Sequence, residues 1–128
     1  MNIYVFVSKL NSWGEKYLGP IVDRNKYIYI HDNSEQIPMI TIDEYVFETG
    51  IVPDAITIDV EGAELLVFKG GENTLKNNNL KLFVSIHDDL GIRDYDTTPE
   101  QTIGFLESLG YRGEFLAKNH EAHWYFTK

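Results

Sequence analysis

The chain has 128 residues, 43% of them hydrophobic, which is enough for one compact domain with a buried core. Its formal net charge of −9 argues against nucleic-acid and anionic-membrane partners, and the absence of cysteine excludes disulfides, thiolate metal sites and a cysteine nucleophile. No apolar run approaches the roughly 20 residues that span a bilayer, and the first residues lack the pattern of a signal peptide. These features predict a soluble cytoplasmic protein.

The first third of the chain contains short β-rich runs separated by polar segments. Strands are predicted at residues 3–7, 27–30 and 38–42. Residues 11–26 mix Asn, Ser, Gly, Pro and charged side chains, and they predict a long loop. A short helix is predicted at residues 43–48, where Thr41 or Asp43 would cap the start and Gly50 would end the helix.

The middle of the chain alternates between the two kinds of element. Residues 55–60 predict a strand that leads into a helix from Gly62, and the helix is broken at Gly70 before a further turn or two of helix at 72–76. The almost entirely apolar run at 80–86 predicts a strand that is covered on both faces. The polar residues that follow, 87–97, predict a loop.

The last third begins with a strong helix start, because Thr98, Pro99 and Gln101 together form a capping box with proline at the first helical position. Gly110 is expected to stop this helix. Two final strands, at 115–117 and 124–127, are close enough to pair as a hairpin. The alternation of strands and helices from residue 55 predicts an α/β sheet of parallel strands, closed by an antiparallel hairpin.

Two predicted strands end in ionisable residues. Asp59 and Glu61 follow the first, and His87, Asp88 and Asp89 follow the second. Parallel strands that are joined by a right-handed crossover open onto the same edge of a sheet, which is where α/β proteins bind ligands. The sequence therefore predicts an acidic cluster with a histidine at this edge.

Each of these side chains has a functional and a structural interpretation. Asp59 is a candidate catalytic residue, or a polar group that fixes the turn. Glu61 and Glu64 are candidates for the same site, or acidic residues that offset a helix dipole. His87 is a candidate general base, or a histidine with a structural partner. Two carboxylates and a histidine could also hold a divalent metal, although their spacing matches no recognised metal motif.

The spacing of the glycines argues against one kind of binding loop. The ten glycines include no Gly-x-Gly pair and no P-loop pattern, so this sequence shows no glycine-rich loop for a nucleotide-type cofactor.

The run Ile58-Asp59-Val60-Glu61-Gly62-Ala63-Glu64, followed by Lys69-Gly70, resembles the FkbM family of S-adenosylmethionine-dependent methyltransferases. Three flanking segments support the resemblance in the same order along the chain: Thr41-Ile42-Asp43, Phe83-Val84-Ser85-Ile86-His87 and Leu109-Gly110-Tyr111. Ser85 stands where the family often has Glu. The resemblance covers about residues 40 to 127.

The resemblance implies a partial Rossmann-like class I methyltransferase fold, with residues 1–128 as a single domain similar to the carboxy-terminal part of the family's domain. It implies S-adenosylmethionine as cofactor, and methyl transfer to a hydroxyl of a small metabolite or sugar. Asp59, Glu61 and His87 would then be catalytic residues, Glu64 and Asp88 substrate-binding residues, and no metal ligands are implied.

The family's glycine-rich cofactor loop would lie upstream of every matched segment. A truncated gene product, a second chain that supplies the missing half, or a remnant without activity would each explain this. The alternative function is a non-catalytic module that binds or dimerises through its sheet edges. A carboxylate hydrolase such as a glycosidase, using Asp59 and Glu61, is a third interpretation; residues two apart on a strand point to opposite faces, which counts against it unless the turn redirects Glu61.

Overall fold

A computed structural model describes residues 3–5, 27–30, 35–38 and 40–128 of the chain, and for the first three segments it describes the strand backbone alone. The predicted loop at 11–26 lies outside the described residues. The predicted strand at 3–7 is described only over Ile3–Val5, and the strand at Tyr27–Ile30 has the predicted bounds.

The described segments form seven strands and five helices. In chain order they are β1 (Ile3–Val5), β2 (Tyr27–Ile30), β3 (Glu35–Pro38), α1 (Ile42–Thr49), β4 (Ala55–Ile58), α2 (Glu64–Lys69), α3 (Glu72–Asn77), β5 (Lys81–Ile86), α4 (Asp88–Tyr95), α5 (Pro99–Ser108), β6 (Arg112–Lys118) and β7 (Ala122–Thr127). None of the helices in this part of the chain is long and apolar enough to cross a membrane.

Five strands form one open sheet in the order β1-β4-β5-β7-β6, and β2 pairs with β3 in a separate antiparallel ribbon. β1, β4 and β5 are parallel, with Ile58 opposite Val84, whereas β7 is antiparallel to both of its neighbours, β5 and β6. β6 therefore runs in the same direction as the first three strands. The predicted α/β class and closing hairpin are confirmed; the hairpin joins the sheet through β7, so the edge strand β6 runs with the parallel set.

The core lies on one face of this sheet. Alternate residues of β4 and β5, Ile56, Ile58, Leu82, Val84 and Ile86, are almost completely buried. Apolar side chains of the helices pack against them, with Phe68, Leu75 and Leu106 also buried. The opposite face of β5 is open, because Phe83 is 43% exposed and stacks on Tyr125. The prediction that this strand is covered on both faces is therefore wrong.

Both predicted capping boxes are present. Thr41 accepts a hydrogen bond from the backbone N–H of Glu44, whose side chain accepts one from the N–H of Thr41. Thr98 and Gln101 are paired in the same way at the start of α5. These reciprocal bonds satisfy N–H groups that a helix start leaves without an intrahelical partner, so both helices begin where the sequence predicts.

Asp43 lies within α1 but caps α3. Its two carboxylate oxygens accept hydrogen bonds from the backbone N–H groups of Thr74, at 2.9 Å, and Asn73, at 3.1 Å. The start of α3 has no cap of its own, because the residue before it is Gly71. Asp43 thus does the work of an N-cap side chain from 30 positions away, and it fixes α1 against α3.

Two predicted boundaries are wrong. Residues 38–42 are not a strand, since the strand is Glu35–Pro38 and the capping box of Thr41 starts a helix at once. Residues 87–97 are not a loop, because Asp88–Tyr95 is helical, with acidic residues in its first turn and Arg93 in its last. That charge distribution offsets the helix dipole, and it compensates for a glycine inside the helix.

Candidate active site

The turn between β4 and α2 presents the first two acidic residues. The strand ends at Ile58, two residues earlier than predicted, so Asp59 and Glu61 lie beyond it. Glu61 has φ of 53° and Gly62 has φ of 103°, and these left-handed conformations reverse the chain direction. The turn therefore redirects Glu61, and the strand argument that set Asp59 and Glu61 on opposite faces does not apply.

Gly62 makes a close backbone contact with α4. A Cβ built on Gly62 would lie 2.7 Å from the backbone N of Gly91 and 2.7 Å from the carbonyl carbon of Leu90. Gly91 is itself tightly packed, since a Cβ there would lie 2.9 Å from the carbonyl oxygen of Thr97. This pair of glycines lets the β4–α2 turn and the start of α4 touch, and it places the residues after β5 next to those after β4.

His87 follows β5 directly, and its side chain is 8% exposed. Its Nδ1 lies 2.8 Å from Oε1 of Glu64, a residue of α2 that is only 2% exposed. The backbone N–H of Gly62 donates to the same oxygen at 2.9 Å. A carboxylate can only accept, so Nδ1 carries the hydrogen and the other ring nitrogen, Nε2, points to the turn.

Nε2 of His87 faces both acidic residues of the turn. It lies 3.4 Å from Oδ1 of Asp59 and 3.5 Å from Oε2 of Glu61. The Asp59 side chain is 59% exposed and that of Glu61 is 24% exposed, whereas His87 is buried beneath them. The structure therefore brings together four of the predicted residues, Asp59, Glu61, Glu64 and His87, and we call this group the His87 cluster.

The surroundings of His87 change its basicity. Burial disfavours the charged ring and lowers the pKa, but the hydrogen bond to Glu64 and the negative charges of Glu64, Glu61 and Asp59 outweigh it. The net result is a pKa above the ordinary value of 6.5 for histidine.

Asp88 is the predicted residue that makes a different contact. It is the first residue of α4, and its Oδ2 lies 3.6 Å from Nζ of Lys118 on β6. Both side chains are about half exposed, so this ion pair is screened by water and contributes little to stability. Glu64, the other predicted substrate-binding residue, is buried against His87, a position that suits it to hold the ring.

Sequence reasoning missed Glu121, which lies in the link between β6 and β7. One oxygen of Glu121, one of Asp59 and one ring nitrogen of His87 lie within 4.8 Å of one another. Nothing in the spacing of Glu121 indicates this position, because it depends on how β7 aligns with β5, where Ala122 lies opposite Ile86.

A cavity of about 300 Å³ adjoins Asp59 on the open face of the sheet. Its walls include Phe83, Leu116 and Trp124, and its polar groups include Ser85 and His123. Oγ of Ser85 lies 3.0 Å from Nδ1 of His123. A mostly apolar cavity with a few polar groups, next to a cluster of ionisable residues, is the usual form of a small-molecule site.

The chain was compared with known proteins. The sequence model of the Methyltransferase FkbM domain matches residues 4–112. The chain belongs to the FkbM methyltransferase family. The match begins earlier than the resemblance at about residue 40, so it includes the first strands as well as the Asp59–Glu64 motif. Neither the comparison with curated proteins nor the comparison with solved structures gave a match.

The FkbM family is a family of methyltransferases, so the general activity of the chain is methyl transfer. The matched region contains the turn after β4, the start of α2 and the residue that follows β5, and these positions carry the whole of the His87 cluster. The cluster therefore lies in the part of the chain that defines the family, whereas Glu121 lies outside the matched residues.

Proposed function

We propose that this chain is an S-adenosylmethionine-dependent methyltransferase that acts on a hydroxyl group of a small metabolite or sugar, and that the His87 cluster is its reaction centre. The observation that supports this most is the distance of 3.4 Å between Nε2 of His87 and Oδ1 of Asp59, at the carboxyl edge of two parallel strands. In open α/β sheets this edge is where ligands bind.

The sheet supports a Rossmann-like arrangement of the class I methyltransferase kind. Four of its five strands run in one direction, and β7 is the reversed strand between β5 and β6. Helices cover the inner face of the sheet, and the crossovers from β4 to β5 pass through α2 and α3.

The residues of the edge fit the charged end of the cofactor. S-adenosylmethionine supplies an electrophilic methyl group on a positively charged sulfonium. Asp59 is well exposed and acidic, and Glu61 is partly exposed beside it, so both favour a positive charge at this edge. These are the residues we assign to the sulfonium end of the cofactor.

The acceptor hydroxyl has to lose its proton as its oxygen is methylated. Nε2 of His87 and the carboxylate of Asp59 are the two candidate proton acceptors, because they lie 3.4 Å apart at the carboxyl ends of β5 and β4. Glu64 positions His87, since its carboxylate fixes the tautomer and the plane of the ring. A well-oriented pair of reactants accounts for roughly 7–11 kcal/mol of rate acceleration, and a positioned base adds roughly 100- to 10,000-fold.

The cavity beside Asp59 is our proposed acceptor site. Its volume of about 300 Å³ is at the lower end for ligand sites, which fits an acceptor the size of one sugar or a similar ring. Its aromatic wall, with Phe83 and Trp124, suits the face of such a ring, and Ser85 and His123 can bond to hydroxyl groups.

The test is calorimetric binding of S-adenosylmethionine to the chain, followed by assays of S-adenosylhomocysteine release with a panel of sugars and small alcohols. Asp59→Asn should lower turnover at least about tenfold, the equivalent of about 1.4 kcal/mol in the barrier. Glu107→Gln, an equal change of charge at an exposed position of α5, should leave turnover unchanged.

Unchanged turnover in Asp59→Asn would remove Asp59 from the mechanism. Failure of the chain to bind the cofactor or to release product with any acceptor would overturn the proposed activity, and would favour the non-catalytic binding module.

A further inference from the structure

We infer that His87, Asp59 and Glu121 form a binding site for a divalent transition-metal ion such as Mn²⁺ or Zn²⁺. The inference deepens the proposed function, on which its catalytic role rests, but the binding of the ion can be measured without any catalysis. No methyltransferase motif in the sequence indicates the site, because Glu121 is supplied by the β6–β7 link.

The first line of support is the combination of donor atoms. An imidazole nitrogen and two carboxylate oxygens, within 4.8 Å of one another, are a mixed nitrogen and oxygen set. Imidazole favours Zn²⁺ and related ions, whereas carboxylates also suit Mn²⁺ and Mg²⁺. A set with one histidine and two carboxylates therefore fits Mn²⁺ or Zn²⁺ better than it fits Ca²⁺, which prefers oxygen ligands alone.

The distances fit a shared ion. Ligand atoms that are about 2.1 Å from one tetrahedral ion lie roughly 3.4 Å from each other. Nε2 of His87 is 3.4 Å from Oδ1 of Asp59, so this pair already has the separation that an ion would impose. The oxygen of Glu121 lies within 4.8 Å of the other two ligand atoms, so an ion would draw it closer to them and away from Nε2 of His123, which is 3.9 Å from it here.

The orientation of the histidine is the second line of support. Histidines that bind metals usually donate the other ring N–H to a carboxylate, which fixes the tautomer and makes the ligand nitrogen more basic. Nδ1 of His87 has this bond, at 2.8 Å to Glu64, and Glu64 is buried and fixed in turn by the N–H of Gly62. His87 is thus held with Nε2 directed to Asp59, and an oxygen of Glu121 lies within 4.8 Å of the ligand oxygen of Asp59.

The charge balance around His87 is the third line of support. The carboxylates of Asp59 and Glu64 both pair with the same imidazole, that of His87. Among the described residues, the only ion-pair partner of Asp59, and likewise of Glu64, is His87. A divalent cation would offset the negative charge that one imidazole cannot balance.

A bound ion would change how the acceptor is activated. The oxygen of the acceptor hydroxyl would occupy an open position on the ion, and the ion would lower the pKa of that hydroxyl. His87 and Asp59 would then be ligands, and Glu61, which faces the same point, would take the proton. The oxygen would form its bond to the methyl carbon as the bond from that carbon to the sulfonium sulfur breaks.

The experiment is isothermal titration of the chelator-treated chain with MnCl₂ and, separately, with ZnCl₂. We expect one site per chain, at least about tenfold weaker in Asp59→Asn and in Glu121→Gln. Glu64→Gln should weaken binding roughly 10- to 100-fold, as expected for loss of the carboxylate that orients a ligand histidine. His120→Gln, a change of an exposed histidine near the same hairpin, is the matched control and should not change the affinity.

Electron paramagnetic resonance of the Mn²⁺ complex provides a second measurement that does not depend on heat of binding. Circular dichroism of each variant checks the fold, and Asp59 is exposed enough for its amide variant to be tolerated. Binding that is absent at millimolar ion, or equally strong in Asp59→Asn and Glu121→Gln, would overturn the site. Binding without any methyl transfer would leave the site standing and overturn the proposed function alone.

Discussion

The carboxylate of Glu64 and the ring of His87 meet at 2.8 Å across 23 positions of sequence, and both side chains are buried. The pair links α2 to the end of β5, and it presents the free ring nitrogen to the exposed acidic residues of the turn. Glu64 is therefore better placed to position His87 than to bind a substrate directly.

Replacing Glu64 by Gln should lower the pKa of His87. The change removes one of the charges that raise it, while the burial that lowers the pKa remains. Gln keeps an oxygen that can accept from Nδ1, so the ring should stay in place. NMR titration of the metal-free chain would measure this shift.

Glu107→Gln removes an equal charge from the exposed surface of α5, and it should leave the His87 titration where it was. An unchanged titration in Glu64→Gln would show that Glu64 does not govern the ring.

Gly62→Ala should destabilise the fold by about 1–3 kcal/mol or more, because φ of 103° is strained for alanine and the new Cβ would meet the backbone of α4 at 2.7 Å. Urea unfolding followed by circular dichroism would measure the loss. Gly104 in α5 has no atom within 4 Å of its Cβ position, so Gly104→Ala should instead stabilise the chain by about 0.4–1 kcal/mol. Equal effects of the two changes would contradict the close packing of the turn.

Asp43→Ala should cost about 1 kcal/mol, since it removes the side chain that satisfies the first N–H groups of α3. Asp43→Asn keeps one acceptor oxygen and should cost less. Chemical denaturation of the two variants beside the parent chain would rank them. If both variants matched the parent, the cap would not contribute to stability.

Tyr111→Phe should cost about 1–3 kcal/mol, because the hydroxyl accepts from the buried N–H of Leu80 and donates to a carbonyl, that of Leu75 or Asn78. Tyr125→Phe, which keeps the ring that stacks on Phe83, is the matched control and should cost less.

The same tyrosine predicts a pH dependence. Burial raises the pKa of Tyr111 above 10.0, although the hydrogen bond from Leu80 acts in the opposite direction. The unfolded chain therefore releases this proton more readily than the folded chain. The contribution of Tyr111 to stability is complete below about pH 10 and falls as the pH rises through the folded pKa. The free energy of unfolding, measured from pH 8 to 11, should fall less steeply with pH in Tyr111→Phe than in the parent chain. Parallel curves would show that the titration of Tyr111 does not affect stability.

Most of the helices and strands from residue 41 onward could be predicted from the sequence, because the patterns that specify them are local. The capping residues Thr41 and Thr98 start their helices by bonds to residues three positions away, and such short-range patterns can be read directly. The convergence of Asp59 with His87 followed from topology, since adjacent parallel strands end at one edge.

The features that could not be predicted from the sequence depend on contacts between residues far apart in the chain. The sequence predicts a loop at α4 because residues 87–97 are mostly polar, and only the contact with Gly62 explains why glycine is needed at position 91. Glu121 depends on the register of β7, and the cap from Asp43 joins residues that no local pattern connects.

The contact between Gly62 and Gly91 is made by main-chain atoms, so the scaffold beneath the acidic turn does not rely on the side chains that the turn displays. Shape and charge are therefore separable in this molecule. An engineer could exchange the exposed Asp59 for a neutral or basic residue while the loop keeps its path, so the charge of this edge can be changed without redesigning the domain.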